Sequence, residues 1–192
     1  MPDPGSQLAV GHDGHAVHFY GDDQELAVSA AQFLGDGLVA GGSAVVVATA
    51  AHRLAVQARL RSAIGAGRLL AVDAGEMLHG FLDGGRLDGS RFRQAAEGLI
   101  GRAARTGQPV RIYAEMVALL WDAGQVALAL ELEGLWNDLA ARLPFSLLCG
   151  YPAGLLAADD DREAAAVQHV CHLHTAVVGP SPGHASVAPA EA

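Results

Sequence analysis

The stretch His15–Arg53, HAVHFYGDDQELAVSAAQFLGDGLVAGGSAVVVATAAHR, decides the reading of the fold. An apolar run at His15–Tyr20 leads through a polar turn and an amphipathic stretch to a second apolar run at Ala44–Thr49. This is strand, turn, helix and strand, the layout of a nucleotide-binding unit whose phosphate loop is missing. A phosphate-gripping loop surrounds its anion with backbone N–H groups and one ammonium, so it needs several glycines and a Lys-Ser/Thr pair. After Tyr20 the chain offers Gly21-Asp22-Asp23-Gln24-Glu25 instead, whose three carboxylates repel a triphosphate. The expectation is the frame of an ATPase without its chemistry, which points to binding or sensing and away from ATP hydrolysis.

Outward from this unit, short apolar runs continue to alternate with amphipathic ones. Leu69–Asp73, Val110–Glu115 and Ser146–Tyr151 read as further strands. Leu26, Ala30, Phe33 and Leu34 recur at helical spacing within Gln24–Val39, and Leu128, Leu132, Leu135 and Leu139 form one stripe within Gln125–Arg142. Gly41-Gly42 ends the first of these helices. Helices are also expected at His52–Ala63, Gly75–Leu82, Ser90–Thr106 and Asp160–Val177, with Asp73, Ser90 and Asp160 as N-terminal caps. Alternation of this kind predicts a three-layer α/β fold, a mostly parallel sheet with helices on both faces.

At 192 residues a single domain is expected. Residues 1–13 and 179–192, rich in Gly, Pro, Ala and Ser, read as flexible tails around a domain at 14–178. The chain is 51% hydrophobic but only 5% aromatic, the composition of an Ala/Leu/Val core. A formal charge of -9, from 12 basic and 21 acidic residues, argues against nucleic acid as a partner, because backbone recognition needs clustered Lys and Arg. With no apolar run of about 18 residues and no secretory signal, the expectation is a cytoplasmic protein without a membrane span. Cys149 and Cys171 are too few for a disulfide scaffold and read as thiols.

In a parallel sheet the ligand sits beyond the carboxyl ends of the strands. That rule selects Tyr20, Gly21 and Asp22 after the first strand, Thr49 after the second, Asp73 and Glu76 after the third, Glu115 after the fourth and Tyr151 after the fifth.

With these elements in place the chain resembles the MEDS sensory domain family, which includes the dichloromethane-responsive regulator. The resemblance is carried by His15-x-x-His18-Phe19-Tyr20, Gln32-Phe33-Leu34-x-x-Gly37-Leu38, Glu115-Met116 with Leu120-Trp121, and Glu131-x-Glu133-x-x-Trp136-Asn137. Phe145-Ser146-Leu147-Leu148-Cys149-x-Tyr151-Pro152 and Cys171-x-x-His174 complete it, so it covers about His15 to Val178. It implies a RecA/KaiC-like fold lacking the Walker A motif, used to sense small hydrocarbon derivatives or related signals. No DNA-binding or kinase output module is visible in the sequence, so a signal would pass by contact with a partner signalling protein, a kinase or a regulator. A homodimer is the other partner left open, and no cofactor is named.

The candidate ligand-binding set is His15, His18, Tyr20, Glu115, Trp121, Cys149 and Tyr151. Trp121, Trp136, Tyr20 and Tyr151 could line an apolar pocket with polar tips, although core packing is the commoner role of the tryptophans. Glu115 reads either as an acceptor for a ligand or a His, or as a cap on the next helix. His18, Tyr20, Glu115 and Tyr151 are expected to share one pocket. His18, Cys149, Cys171 and His174 are donor types that suit a soft metal, and Cys171-x-x-His174 would present both donors on one helix face. His15 and His18, three apart on a strand, point to opposite faces, so at most one joins any site. The expectation is nevertheless no stoichiometric metal, with Cys149 in the core and Cys171 and His174 on the helix face covering the sheet. His169 and His172 read as solvent-facing or helix-end residues. No enzyme is expected: a G-x-S-x-G elbow is lacking, Cys149 lies inside a strand, and Glu131 and Glu133 point to different sides of their helix. The alternative is a non-catalytic interaction or regulatory subunit with a vestigial nucleotide-binding fold, or a metal- or redox-linked sensor.

Overall fold

A computed structural model describes residues 14–61, 69–104, 108–157 and 161–179. The expected N-terminal tail, all of the C-terminal tail but Gly179, Asp160 as a cap, and the last expected helical residues Ser62, Ala63, Arg105 and Thr106 lie outside the described residues.

The opening unit forms as strand β1 (His15–Tyr20), helix α1 (Asp23–Val39) and strand β2 (Ser43–Ala48). Asp22 caps α1 by accepting from the Glu25 N–H at 2.8 Å, while the Glu25 carboxylate accepts from the Gly21 N–H at 2.8 Å. The chain's own carboxylates thus take the backbone donors that a helix N-terminus would offer to a phosphate. Gly41, at φ 87, turns the chain out of α1 as expected.

Helix α2 (Ala50–Leu60), β3 (Leu69–Asp73) and α3 (Ala74–His79) follow, and Asp73 caps α3 through the Glu76 N–H at 3.1 Å. Helix α3 stops short of the expected Leu82, because Gly84 and Gly85 adopt positive φ and fold a two-residue hairpin from β4 (Leu82–Asp83) and β5 (Arg86–Leu87). Helix α4 (Gly89–Ala103) is capped by Asp88, where Ser90 was expected: the Asp88 carboxylate accepts from the Ser90 and Arg91 N–H groups and from the Ser90 hydroxyl. A full negative charge at this end of the helix complements the dipole better than a hydroxyl does.

Strand β6 (Val110–Ala114) leads into α5 (Met116–Asp122), a short helix that the apolar pattern did not reveal, and then α6 (Val126–Ala140). Strand β7 (Ser146–Pro152), a 3₁₀ turn (Ala153–Ala157) and α7 (Asp161–Leu173) complete the body. Helix α7 does not run on to Val177. The chain leaves it at His174, and Ala176–Val178 forms β8, seated beside β1 by bonds from the Thr175 N–H and hydroxyl to the His15 carbonyl at 2.7 and 2.9 Å.

Six strands make one all-parallel sheet in the order β3-β2-β6-β7-β1-β8. Every residue of β2 is buried, as a strand covered on both faces requires. One face meets α1 and α2 through Ala16, Val46, Tyr113 and Leu148 against Leu26, Phe33, Leu34 and Val56. The other carries Val17, Phe19, Val47, Ile112, Leu147 and Tyr151 against Phe92, Leu132, Trp136 and Val170 from α4, α6 and α7. The fold is therefore the expected three-layer α/β sandwich. Among the described residues no helix is long and apolar enough to cross a membrane.

Candidate functional site

Residue parity along β1 sends its side chains into two different clusters. His18 and Tyr20 face α1, while His15 faces α6.

The first cluster lies at the carboxyl edge of the sheet. Glu115, the residue between β6 and α5, is 2% exposed. Its carboxylate accepts from the Thr49 N–H and lies 2.6 Å from His52 Nδ1. It makes no side-chain cap bond to α5, so of its two expected roles the structure displays acceptance from a histidine. His52 Nε2 is 3.3 Å from Asp23, and the His52 ring lies 6.4 Å edge-on from Tyr20. Tyr20 in turn lies 6.1 Å from His18, whose Nε2 is 3.8 Å from Glu25.

Charge is graded across this cluster. Burial lowers the pKa of His18 despite the nearby Glu25 carboxylate, so this ring is neutral at pH 7. Burial acts the same way on His52, but Glu115 and Asp23 on its two sides outweigh it and raise the pKa. Tyr20 is pushed well up by burial and then by Glu115, Asp122 and Asp23, and stays a phenol. Because the folded pKa of His52 lies above its unfolded value, its ion pairs contribute stability that is complete below about pH 6.5. That contribution fades as pH rises through the folded pKa. Urea titrations of His52→Gln and the parent should accordingly differ most at acidic pH and converge in alkali; a gap that widens with pH would contradict the assignment.

The second cluster is buried between the sheet and α6. His15 Nε2 lies 3.2 Å from Glu133 Oε2 and 3.3 Å from Cys149 Sγ, and the thiol lies 3.4 Å from the same carboxylate oxygen. His174 Nε2 is 3.5 Å from Glu133 Oε2, and the two imidazole rings are 4.1 Å apart. Tyr151 donates to the other oxygen, Glu133 Oε1, at 2.9 Å. Burial by itself would raise the Glu133 pKa, but His15 and His174 beside the carboxylate overcome it and hold the carboxyl far below the usual range. Burial and then the Glu133 charge push the Cys149 thiol well up. Tyr151 is raised by burial, Glu133 and Cys149 in that order.

The seven candidate residues thus divide. His18, Tyr20 and Glu115 meet near α1 and α2, whereas His15, Cys149 and Tyr151 belong to the opposite face, where Trp121 packs edge-on against Tyr151 at 5.7 Å. A single pocket holding Tyr151 with His18 and Tyr20 is not formed, because β7 sends Tyr151 to the α6 side of the sheet. Of the metal-donor types, Cys149 and His174 come together; His18 lies across the sheet with Glu25, and Cys171 is half-buried on α7 outside the cluster. His174 is not on a helix face but just beyond the end of α7. His169 and His172 are exposed, as expected. Two residues were missed as site residues: His52, whose partner is 63 positions away, and Glu133, which the sequence offered as part of a motif and on a different side of α6 from Glu131. The Glu133–Asn137 spacing of one helical turn was the available signal, since it puts two polar side chains on a stripe that is otherwise apolar.

A third feature is a cleft of about 820 Å³ where α6 meets α7 beside the β4–β5 hairpin. Val126, Leu128, Leu130 and Ala166 line it together with Arg162 and Glu163. None of the candidate residues read from the sequence is among its lining.

A family model described as the methanogen/methylotroph, DcmR sensory domain, MEDS, matches residues 14–175. Comparison with curated proteins and with solved structures returns no match.

Proposed function

We propose that this chain, which belongs to the MEDS family of sensory domains, senses a small, largely apolar molecule in the cleft between α6 and α7 and relays its presence to a partner protein. The cleft carries the reading. Its volume lies in the range of small-molecule sites, and its aliphatic lining of Val126, Leu128, Leu130 and Ala166 suits a hydrocarbon derivative. The carboxyl edge of the sheet is a poorer match, because Asp23, Glu25 and Glu115 crowd it with negative charge already committed to His52, His18 and backbone donors.

The relay follows from the same helices. Helix α6 carries Glu133 and Asn137 into the core, and α7 ends beside His174, so an occupant that shifts one helix against the other acts on the link between α7 and β8. A kinase or regulator reading that edge is the partner of this scheme. The sheet is read as RecA/KaiC-like and the protein as cytoplasmic. It catalyses no reaction in this scheme, and magnesium-ATP titrated by calorimetry should show no binding; micromolar affinity would contradict the self-capped N-terminus of α1.

Thermal unfolding with a panel of short-chain alcohols, amines and haloalkanes tests the cleft. At least one compound should raise Tm saturably, since a ligand at about 100 times its Kd adds about 2.7 kcal/mol of stability. Ala166→Trp, which fills the cleft from α7, should abolish the rise. A parent protein unmoved by the whole panel, or a shift that survives Ala166→Trp, would refute this site.

A further inference from the structure

We propose that His15, Glu133, Cys149 and His174 form a buried four-coordinate site for a divalent transition metal ion, zinc by the chemistry of its donors. One donor atom from each residue lies within 4.8 Å of all the others. Zinc bonds of about 2.0–2.1 Å to nitrogen and oxygen and about 2.3 Å to sulfur place tetrahedral ligands about 3.3–3.7 Å apart. Four of the six separations among these atoms, 3.2, 3.3, 3.4 and 3.5 Å, lie near those edges, and the remaining two, from His174 Nε2 to His15 Nε2 and to Cys149 Sγ, are within 4.8 Å.

The surrounding bonds aim each donor inward. The Asn137 amide donates to the Leu173 carbonyl at 2.9 Å, which leaves its oxygen to accept from His15 Nδ1–H at 2.9 Å. His174 Nδ1–H donates to the Val170 carbonyl at 2.6 Å. In both rings Nδ1 therefore carries a proton and Nε2 is the nitrogen turned to the cluster, where a metal ion would take the place of any proton on it, as histidines that bind metals are commonly oriented. His174 Nε2 is buried and makes no hydrogen bond among the described residues. Tyr151 holds Glu133 Oε1 and leaves Oε2 turned toward the three other donors.

Charge closes the argument. Two neutral imidazoles, one carboxylate and one thiolate carry two negative charges, which a divalent cation cancels in a site shielded from solvent. The thiol proton leaves on binding, the price in protons that every thiolate ligand entails. Four protein donors fill a tetrahedral zinc, so the site is architectural and leaves no open position for a substrate. It ties together β1, β7, α6 and the link from α7 to β8. This inference does not rest on the cleft or its ligand.

Elemental analysis of protein purified under reducing conditions without chelator, then reconstituted with zinc and desalted, should give about one zinc per chain. Cobalt(II) in its place should show the intense visible absorption of a tetrahedral site and a thiolate charge-transfer band. Cys149→Ser should lose that band and His174→Ala the stoichiometric metal, while Cys171→Ser keeps both. Asn137→Ala, which frees the His15 ring, should weaken zinc about 10- to 100-fold. Wild-type cobalt spectra decide the matter even where a variant fails to fold. Reconstituted protein without stoichiometric zinc, cobalt spectra lacking the thiolate band, or metal retained by folded Cys149→Ser and His174→Ala would overturn the site.

Discussion

Trp136→Ala is expected to be the most damaging single truncation among the described residues, lowering stability by about 3–5 kcal/mol. Trp136 is fully buried on α6, with Phe92 edge-on at 4.9 Å and Phe145 at 6.1 Å. Removing the indole takes away its transfer free energy and also opens a cavity that Phe92 and Phe145, held on separate parts of the chain, cannot collapse into. For a domain of this length the midpoint of thermal unfolding should fall by on the order of 10 °C. The loss should reach beyond the cavity itself, since Trp136 lies between Glu133 and Asn137 on the helix that brings both to His15. Calorimetry of the variant gives the answer directly. A fall of less than about 1 kcal/mol, the range of ordinary surface changes, would mean that the indole does not fill the core as described.

Gly150→Ala should cost about 3 kcal/mol, for the opposite reason. A methyl group on Gly150 would lie 2.3 Å from the Tyr113 hydroxyl oxygen and 3.0 Å from the carbon bearing it. Tyr113 is itself fully buried against α1 and cannot swing aside, so the strain falls on β6 and β7 at the centre of the sheet. Tyr113→Phe removes the nearest atom and should recover at least about 1 kcal/mol of the loss, leaving the ring carbons to account for the rest. Denaturant titration of the two single variants and the double variant measures this coupling. Additivity within about 0.5 kcal/mol would sink the steric account.

The architecture was legible because its signals are local. Each of the five strands read from the sequence is an apolar run that needs no partner to be noticed, and the parallel sheet follows from their alternation with helical stripes. The elements that escaped are those whose stability comes from elsewhere. Ala176–Val178 is three residues long and is a strand only because β1 offers it an edge and the His15 carbonyl captures Thr175. Helix α5 is nearly apolar on all sides, so it shows no amphipathic period to distinguish it from its surroundings.

The chemistry was legible only in part, and the boundary is physical. The period of two along a strand was enough to separate His15 from His18, and the carboxylates after Tyr20 were enough to argue against a phosphate loop. Which residues meet His15 depends on β7 and β8 lying on either side of β1 and on α6 crossing that face of the sheet. Those pairings join positions more than 100 residues apart, as His15 with Glu133 and Cys149 shows. Local sequence determined the elements and the face each side chain takes, because backbone geometry sets them within a few residues. Only the tertiary structure decided the company that buried polar groups keep, because strand order and helix placement are settled by packing the whole core at once.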